Sequence, residues 1–454
     1  MSSKPVVSRS KNATDRSKVR APSAKPVPVA PIAEKSTIAD EEMLDAKTAA
    51  SMLGVKTQTL YAYVSRGLIR TAPRRGTQAS LYHREDVETV RLNGRGGSVS
   101  TDPGERISRW SGSGGVLQTA ITSINASGPR YRGKLAVDLA NMRRPFEDCA
   151  ELLWSGVLPP QSVVWSPPVV PDTFPAFSSA IARIARKPNT RQLLALIAQS
   201  YGASIGRNPE NVLGAPVLAG RQLIQILAPA LGLLRKEPRY LLNSEPEPVA
   251  SVLARSVGVP RSEEVLRALN VCLVLSADHE LAPSTFAARI AASAGADIFA
   301  CVNNAFGTFD GPLTGFGCDE SEKMLRAAVS PKKYVNLLNE FAERKEFIPG
   351  YNHPLYPEGD PRALYLLELA RVNVQTPKAR LILNCIDAGI QETEAVPSLA
   401  VGLVAIAAAF DLPEESPGAI MAIGRVAGWI AHAFEQRLAG FLVRPRTRYI
   451  GPLE

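Results

Sequence analysis

Apolar residues recur at three- and four-residue spacing along most of this chain, and prolines and glycines cut the pattern into segments. From about residue 104 to residue 454 the period is helical almost throughout. Strand-like alternation is scarce and no internal repeat is visible. The pattern predicts an all-α body. Within it, the most apolar stretch, Val401 to Phe410, is about half the length a membrane-spanning helix needs.

A different pattern precedes the body. Asp45 is placed to cap a helix running through Leu53, with Ala49 and Leu53 on one face, and Gly54 breaks it. A second helix is predicted over residues 57–66, with Leu60 and Val64 facing inward, ending at Gly67. Leu68 and Ile69 start an extended stretch. Pro73, Arg74, Arg75 and Gly76 mark a turn before Leu81-Tyr82, and a short helix starts near Glu85-Asp86. Helix, glycine turn, helix, basic hairpin and helix is the plan of a winged helix-turn-helix. The domain reading is therefore a Pro/Ser-rich basic tail (1–40), a winged helix-turn-helix (41–92), a linker (93–103) and a helical body (104–454).

Composition narrows the class. Of 454 residues, 45% are hydrophobic and 21% charged, as in globular proteins. The sequence contains no run long enough to span a bilayer and no signal-peptide core, so no membrane partner is expected. Five scattered cysteines without a CxxC pair imply a reducing, cytoplasmic location, and exclude a disulfide framework or a zinc site. No metal-ligand spacing occurs. The net charge of +9 is uneven: residues 1–40 hold eight basic and three acidic residues, and residues 46–84 hold seven basic and no acidic ones. The tail composition predicts disorder, with an organelle transit peptide as the alternative. The basic stretch fits a phosphate-rich partner or simply a solvated surface.

The strings "AASMLGVKTQTLYAYVSRGLIR" and "LYHREDV" resemble the MerR/excisionase type of helix-turn-helix over about fifty residues. The resemblance implies double-stranded DNA as partner, with the second helix in the major groove. Lys56, Thr57, Gln58, Thr59 and Tyr61 would then be exposed on its leading turn, and Gln58 would read a base edge. Arg66, Arg70, Arg74 and Arg75 would grip phosphates. The alternative is a module that only packs or mediates contacts. One such module binds weakly, so useful affinity requires a dimer.

Body strings carry the second resemblance. They are "RYRGKLAVDLANMRRPFEDCAELLWSGVLP", "LVLSADHELAPSTFAARIAASAGADIFACVNNAFGTFDGPLTG", "FIPGYNHPLYPEGDPRA" and "IGRVAGWIAHAFEQ" before "FLVRPRTRYIGP". In this order they resemble the citrate (2-methylcitrate) synthase family over residues 103–454. The resemblance implies an all-helical dimer with a large domain and a small domain (about 317–404) that closes over the substrates. The implied reaction is an acyltransfer that condenses an acyl-coenzyme A with oxaloacetate. No permanent cofactor is implied, and a coenzyme A thioester enters as substrate or ligand. By motif matching, His279, Arg362 and Arg425 bind oxaloacetate, and Arg444 reaches in from the partner subunit. His353 protonates the keto oxygen as the new bond forms. Pro349, Gly350, Tyr351 and Asn352 fall at the coenzyme A site.

The proton-abstracting pair departs from that pattern. A thioester methyl is a very weak carbon acid and needs a base and an oxyanion donor. The family's donor His stands in "GPLHG"; here the string is Gly311-Pro312-Leu313-Thr314-Gly315. The family's base Asp aligns with Ala400 in Pro397-Ser398-Leu399-Ala400, by its spacing to Arg425. Asp387, in Asn384-Cys385-Ile386-Asp387, looks similar but lies about three turns too early. A further departure, Ala282-Pro283 after "HEL", leaves the start of the next helix open. Three readings follow: a metabolite-sensing DNA-binding pseudoenzyme, a non-catalytic subunit paired with an intact paralogue, or a working synthase in which Asp387 or another group supplies the base.

Overall fold

In the computed structural model the chain divides into two compact units, residues 1–94 and 95–454. The structure describes residues 43–65, 71–73, 80–84, 117–174, 190–206, 208–311 and 314–444, with a few single positions besides. The tail 1–40 and the linker 93–103 lie outside the described residues.

The front unit contains β1 (Met43–Leu44), α1 (Ala46–Leu53), α2 (Thr57–Ser65), β2 (Thr71–Pro73) and β3 (Ser80–His83). Asp45 caps α1, accepting the Thr48 N–H at 2.7 Å. Gly54 closes it in the left-handed region, where a Cβ would be strained. The strands pair antiparallel in the order β1-β3-β2, with Tyr82 opposite both Leu44 and Thr71. The small core is Leu44, Ala49, Ala50, Leu60, Ile69, Tyr82 and Val87; Leu53 and Val64, predicted to face inward, are only partly buried.

The body opens on a short antiparallel sheet, β4 (Thr122–Asn125), β5 (Gly128–Tyr131) and β6 (Lys134–Leu135), which the sequence pattern did not predict. Strands of two to four residues are too short for alternation to register. The described helices are α3 (Ala136–Asn141), α4 (Phe146–Ser155), α5 (Thr190–Ile205), α6 (Pro209–Val212), α7 (Pro216–Leu227), α8 (Val249–Val257), α9 (Glu263–Ser276), α10 (Pro283–Ser293), α11 (Ile298–Phe309), α12 (Phe316–Arg326), α13 (Pro331–Glu343), α14 (Pro361–Asn373), α15 (Pro377–Glu392), α16 (Leu399–Ala409) and α17 (Ser416–Ala439). Pro283 settles the start of α10, because proline at the first helical position gives up an N–H that has no partner there.

The 24-residue α17 is the axis of the core and packs against α4, α9, α10, α11 and α16. Its close approach to the end of α9 depends on Gly428, where a Cβ would stand 2.1 Å from Asp278 Oδ1. Every residue of α16 is buried, which explains its apolar character all round. The sequence reading found no segment of membrane length. Pro216–Leu234, α7 with its continuation Ala228–Leu234, reaches 19 residues at a mean hydropathy of 1.5. It is 72% buried inside the body, as a core helix is. All five cysteines are buried and free.

Candidate anion pocket

Three segments converge on one buried cluster. The first is the turn that leaves α9. Asp278 and His279 sit on it, and Glu280 takes a left-handed φ of 53°, a costly conformation for a residue with a Cβ. The second is the irregular, turn-containing stretch 349–356, held to residues 396–398. Asn352 N–H donates to Val396 O at 2.7 Å, and Ser398 Oγ donates to Gly350 O at 2.8 Å. The third is the middle of α17, which carries Arg425.

These segments, with the first turn of α14, bring together four of the residues expected to bind substrate. His279 and His353 stand edge to face with ring centroids 5.1 Å apart. His279 Nε2 meets the Tyr356 hydroxyl at 3.0 Å. His353 Nδ1 accepts the Leu355 N–H at 3.2 Å, so the neutral ring carries its proton on Nε2 as a donor. Arg362 is in the first turn of α14 and lies over the Tyr356 ring at 5.3 Å. The Asp360 carboxylate caps α14 and forks the Arg362 guanidinium, with Oδ1 to Nε at 3.0 Å and Oδ2 to Nη2 at 2.8 Å. Oδ2 also accepts the Leu399 N–H at 3.0 Å. Arg362 Nη1 is buried without a partner. Arg425, also buried, donates from Nε to Ser276 O at 2.9 Å.

The electrostatics follow from that crowding. Burial, then Arg362, Arg425 and His353, hold His279 well below the usual imidazole range. Burial and Arg362 lower His353 as well. Both rings are therefore neutral near pH 7. Burial pulls Arg362 down, but Asp360 outweighs it and keeps the guanidinium charged. Burial lifts the Tyr356 hydroxyl to about 12, so it remains a proton donor. The cluster presents two fixed cations, an orphaned guanidinium N–H and neutral ring and phenol donors. That set suits a multiply charged carboxylate.

The other predicted residues fall elsewhere. Thr314 Oγ1 faces the end of α11, within 3.0 Å of Thr308 O and Phe309 O and 2.8 Å of Gly311 O. Its one proton is committed to backbone. Ala400 is buried in the first turn of α16. Asp387 is ion-paired to Arg371 at 2.5 Å on the partly exposed faces of α15 and α14. Arg371 lies nine residues beyond Arg362, about 13 Å along the helix, so Asp387 does not serve the pocket. Of the expected coenzyme A residues, Gly350 and Tyr351 are buried, with the Tyr351 hydroxyl 2.9 Å from that of Tyr334; Asn352 is exposed and Pro349 half-buried. Arg444 is exposed beyond α17. In the front unit Lys56, Thr57, Gln58, Thr59 and Tyr61 are exposed on the leading half of α2. Arg66, Arg70, Arg74 and Arg75 lie outside the described residues.

Sequence reasoning missed Asp360, Asp278 and Tyr356. Asp360-Pro361 carried a signal, since Asp before Pro is a helix-cap signature. Tyr356 carried none.

A family profile, "Citrate synthase, C-terminal domain", matches residues 113–446. The chain belongs to the citrate synthase family. Among its relatives, citrate synthase 2 of Bacillus subtilis is 31% identical over 191 residues, 41% of this chain and about half (51%) of that protein. The putative citrate synthase 2 of Mycobacterium tuberculosis is 27% identical over 71% of this chain and 87% of its own length. The fold matches the citrate synthase of Thermoplasma acidophilum, solved in a ternary complex with carboxymethyl coenzyme A and oxaloacetate. There the TM-score is 0.66 at 20% identity, covering 76% of this chain and 96% of that one. The front unit lies outside the family match.

Proposed function

We propose that this citrate synthase family member binds a di- or tricarboxylate of the oxaloacetate/citrate type without enolising an acyl thioester, and that it acts as a ligand-sensing DNA-binding regulator. The observation that supports this reading is an asymmetry between the two groups of residues matched to the family's motifs. The anion-binding half keeps His279, His353, Arg362 and Arg425, with an unmet N–H on Arg362. On the proton-abstracting half, Ala400 offers a methyl group and the Thr314 hydroxyl is spent on carbonyls. General acid–base groups contribute about 10²–10⁴ in rate each, so losing both leaves little turnover. The front unit supports the regulatory half: it exposes Lys56, Gln58 and Thr59 on one helical turn next to a basic stretch.

Titration calorimetry with oxaloacetate and with citrate tests the pocket; binding that disappears in Arg425→Gln is expected. Acetyl-coenzyme A plus oxaloacetate is expected to release no thiol above background. Robust turnover refutes the reading, and turnover only after mixing with an intact paralogue replaces it with the heterodimer reading.

A further inference from the structure

Behind the pocket a line of buried polar groups leads away from the turn that carries Asp278 and His279, which Arg425 holds through Ser276 O. Gly428 N–H donates to Ala277 O at 2.9 Å and seats Asp278 against α17. Asp278 is fully buried. Burial pushes its carboxyl up, but His432 and Arg425 outweigh that and hold it below its usual range. His432, also fully buried, meets Asp278 Oδ2 through Nε2 at 3.3 Å. On its other side Nδ1 lies 3.5 Å from Arg289 Nη1. With its proton on Nε2 the ring donates to Asp278 and accepts from Arg289, and Nδ1 stands 4.0 Å from Glu435 Oε2. Arg289, 1% exposed, shares the same Nη1 with Glu435 Oε2 at 2.8 Å. Glu435 Oε1 then accepts the Ala120 N–H at 2.7 Å, and Arg289 Nη2 reaches Gln118 O at 3.4 Å. The ladder ends on residues 118–120, the first described stretch of the body after the segment that joins it to the front unit.

We infer that Asp278, His432, Arg289 and Glu435 transmit occupancy of the carboxylate pocket to the 118–120 segment, coupling the ligand to the lead-in from the front unit. This rests on the proposed ligand-binding reading. Arg425 Nε holds Ser276 O two residues before Asp278, and the Glu280 N–H next to His279 donates to Asp278 Oδ2 at 3.1 Å, so a ligand carboxylate on His279 and Arg425 loads the turn that positions Asp278. Asp278 then accepts more strongly from His432 Nε2–H. The electron-richer Nδ1 draws on the shared Arg289 Nη1, and Glu435 is released to hold the Ala120 N–H more tightly. Two arrangements of one shared proton donor give the line its two states.

Hydrogen exchange followed by mass spectrometry on the full chain tests this, with citrate as the probe and calorimetry in parallel. Citrate is expected to slow exchange in peptides spanning 117–125 by about fivefold or more, the lower range of allosteric couplings. Glu435→Gln is expected to keep citrate affinity within about twofold and to lose that response. Arg289→Lys, which keeps the charge but loses the fork, provides a second variant should the first fold poorly. Citrate binding by calorimetry with no change at 117–125 overturns the inference, as does a full response in Glu435→Gln. No binding of citrate or oxaloacetate at all overturns the ligand-binding reading itself, and the coupling with it.

Discussion

Replacing Asp360 with Asn probes the cation that anchors the pocket. Asp360 is 1% exposed and its two oxygens accept four N–H groups: Arg362 N, Nε and Nη2, and Leu399 N. An Asn side chain keeps one acceptor oxygen and turns an NH₂ toward two donors. Asn still caps a helix well, so the loss of the cap is small. What remains is an Arg362 guanidinium, 2% exposed, without its counter-charge. Breaking a buried pair from one side costs about 3–5 kcal/mol. Arg362→Gln is expected to cost a similar amount, because Asp360 is then left charged and buried. The double variant removes both charges and is expected to cost less than the sum by about 2–3 kcal/mol. Urea unfolding of the four ligand-free proteins measures this, with midpoints compared at constant m-value. If each single variant loses under about 1 kcal/mol, or the two losses add to within about 0.5 kcal/mol, the pair is not the coupled buried unit described above.

Three further outcomes are expected. Thr314→His with Ala400→Asp, made together, is expected to raise thiol release from acetyl-coenzyme A above the wild-type background, whereas Asp387→Asn is expected to change nothing; a loss of activity in Asp387→Asn would restore that carboxylate as a base. Burial lifts Glu147 to about 7. The folded state therefore holds a proton that the unfolded chain has released, and wild-type stability is expected to fall relative to that of Glu147→Gln as pH rises from about 4.5 to 7, by about 3 kcal/mol; a constant difference between the two proteins across that window argues against it. In the front unit, Lys56→Gln is expected to weaken binding to a mixed-sequence duplex and to lower the salt slope by about one, read by fluorescence anisotropy. Wild-type protein with no duplex affinity at low salt removes the DNA-binding reading.

The body's helices were legible because each carries a long apolar face or a proline start, as at Pro283, Pro361 and Pro377. That His279, His353, Arg362 and Arg425 cluster was legible through the order of their motifs, and the spacing of Ala400 to Arg425 is what set the expected base position apart from Asp387. Tertiary partnership was not legible. Nothing in the string around Tyr356 tells that its hydroxyl meets a ring 77 positions earlier. Nor does any periodicity disclose that Asp360 is shared between Arg362 and the start of α16. The sheet β4-β5-β6 escaped notice because its strands are shorter than the window in which alternation can be counted.

The Thr314 hydroxyl has a consequence for how this chain can change. It adds a side-chain donor to the last carbonyls of α11, which the Gly311 and Gly315 N–H groups also meet. Thr314→His abandons that contact, and Ala400, at the position the proposed reading assigns to the base, offers only a methyl group. The first step toward a proton-abstracting site therefore costs local stability and returns no chemistry. Two substitutions that are useful only together, the first harmful alone, act as a one-way valve. On the proposed reading, a lineage that has passed through it is held in a binding role by the fold itself, independently of what selects for that role.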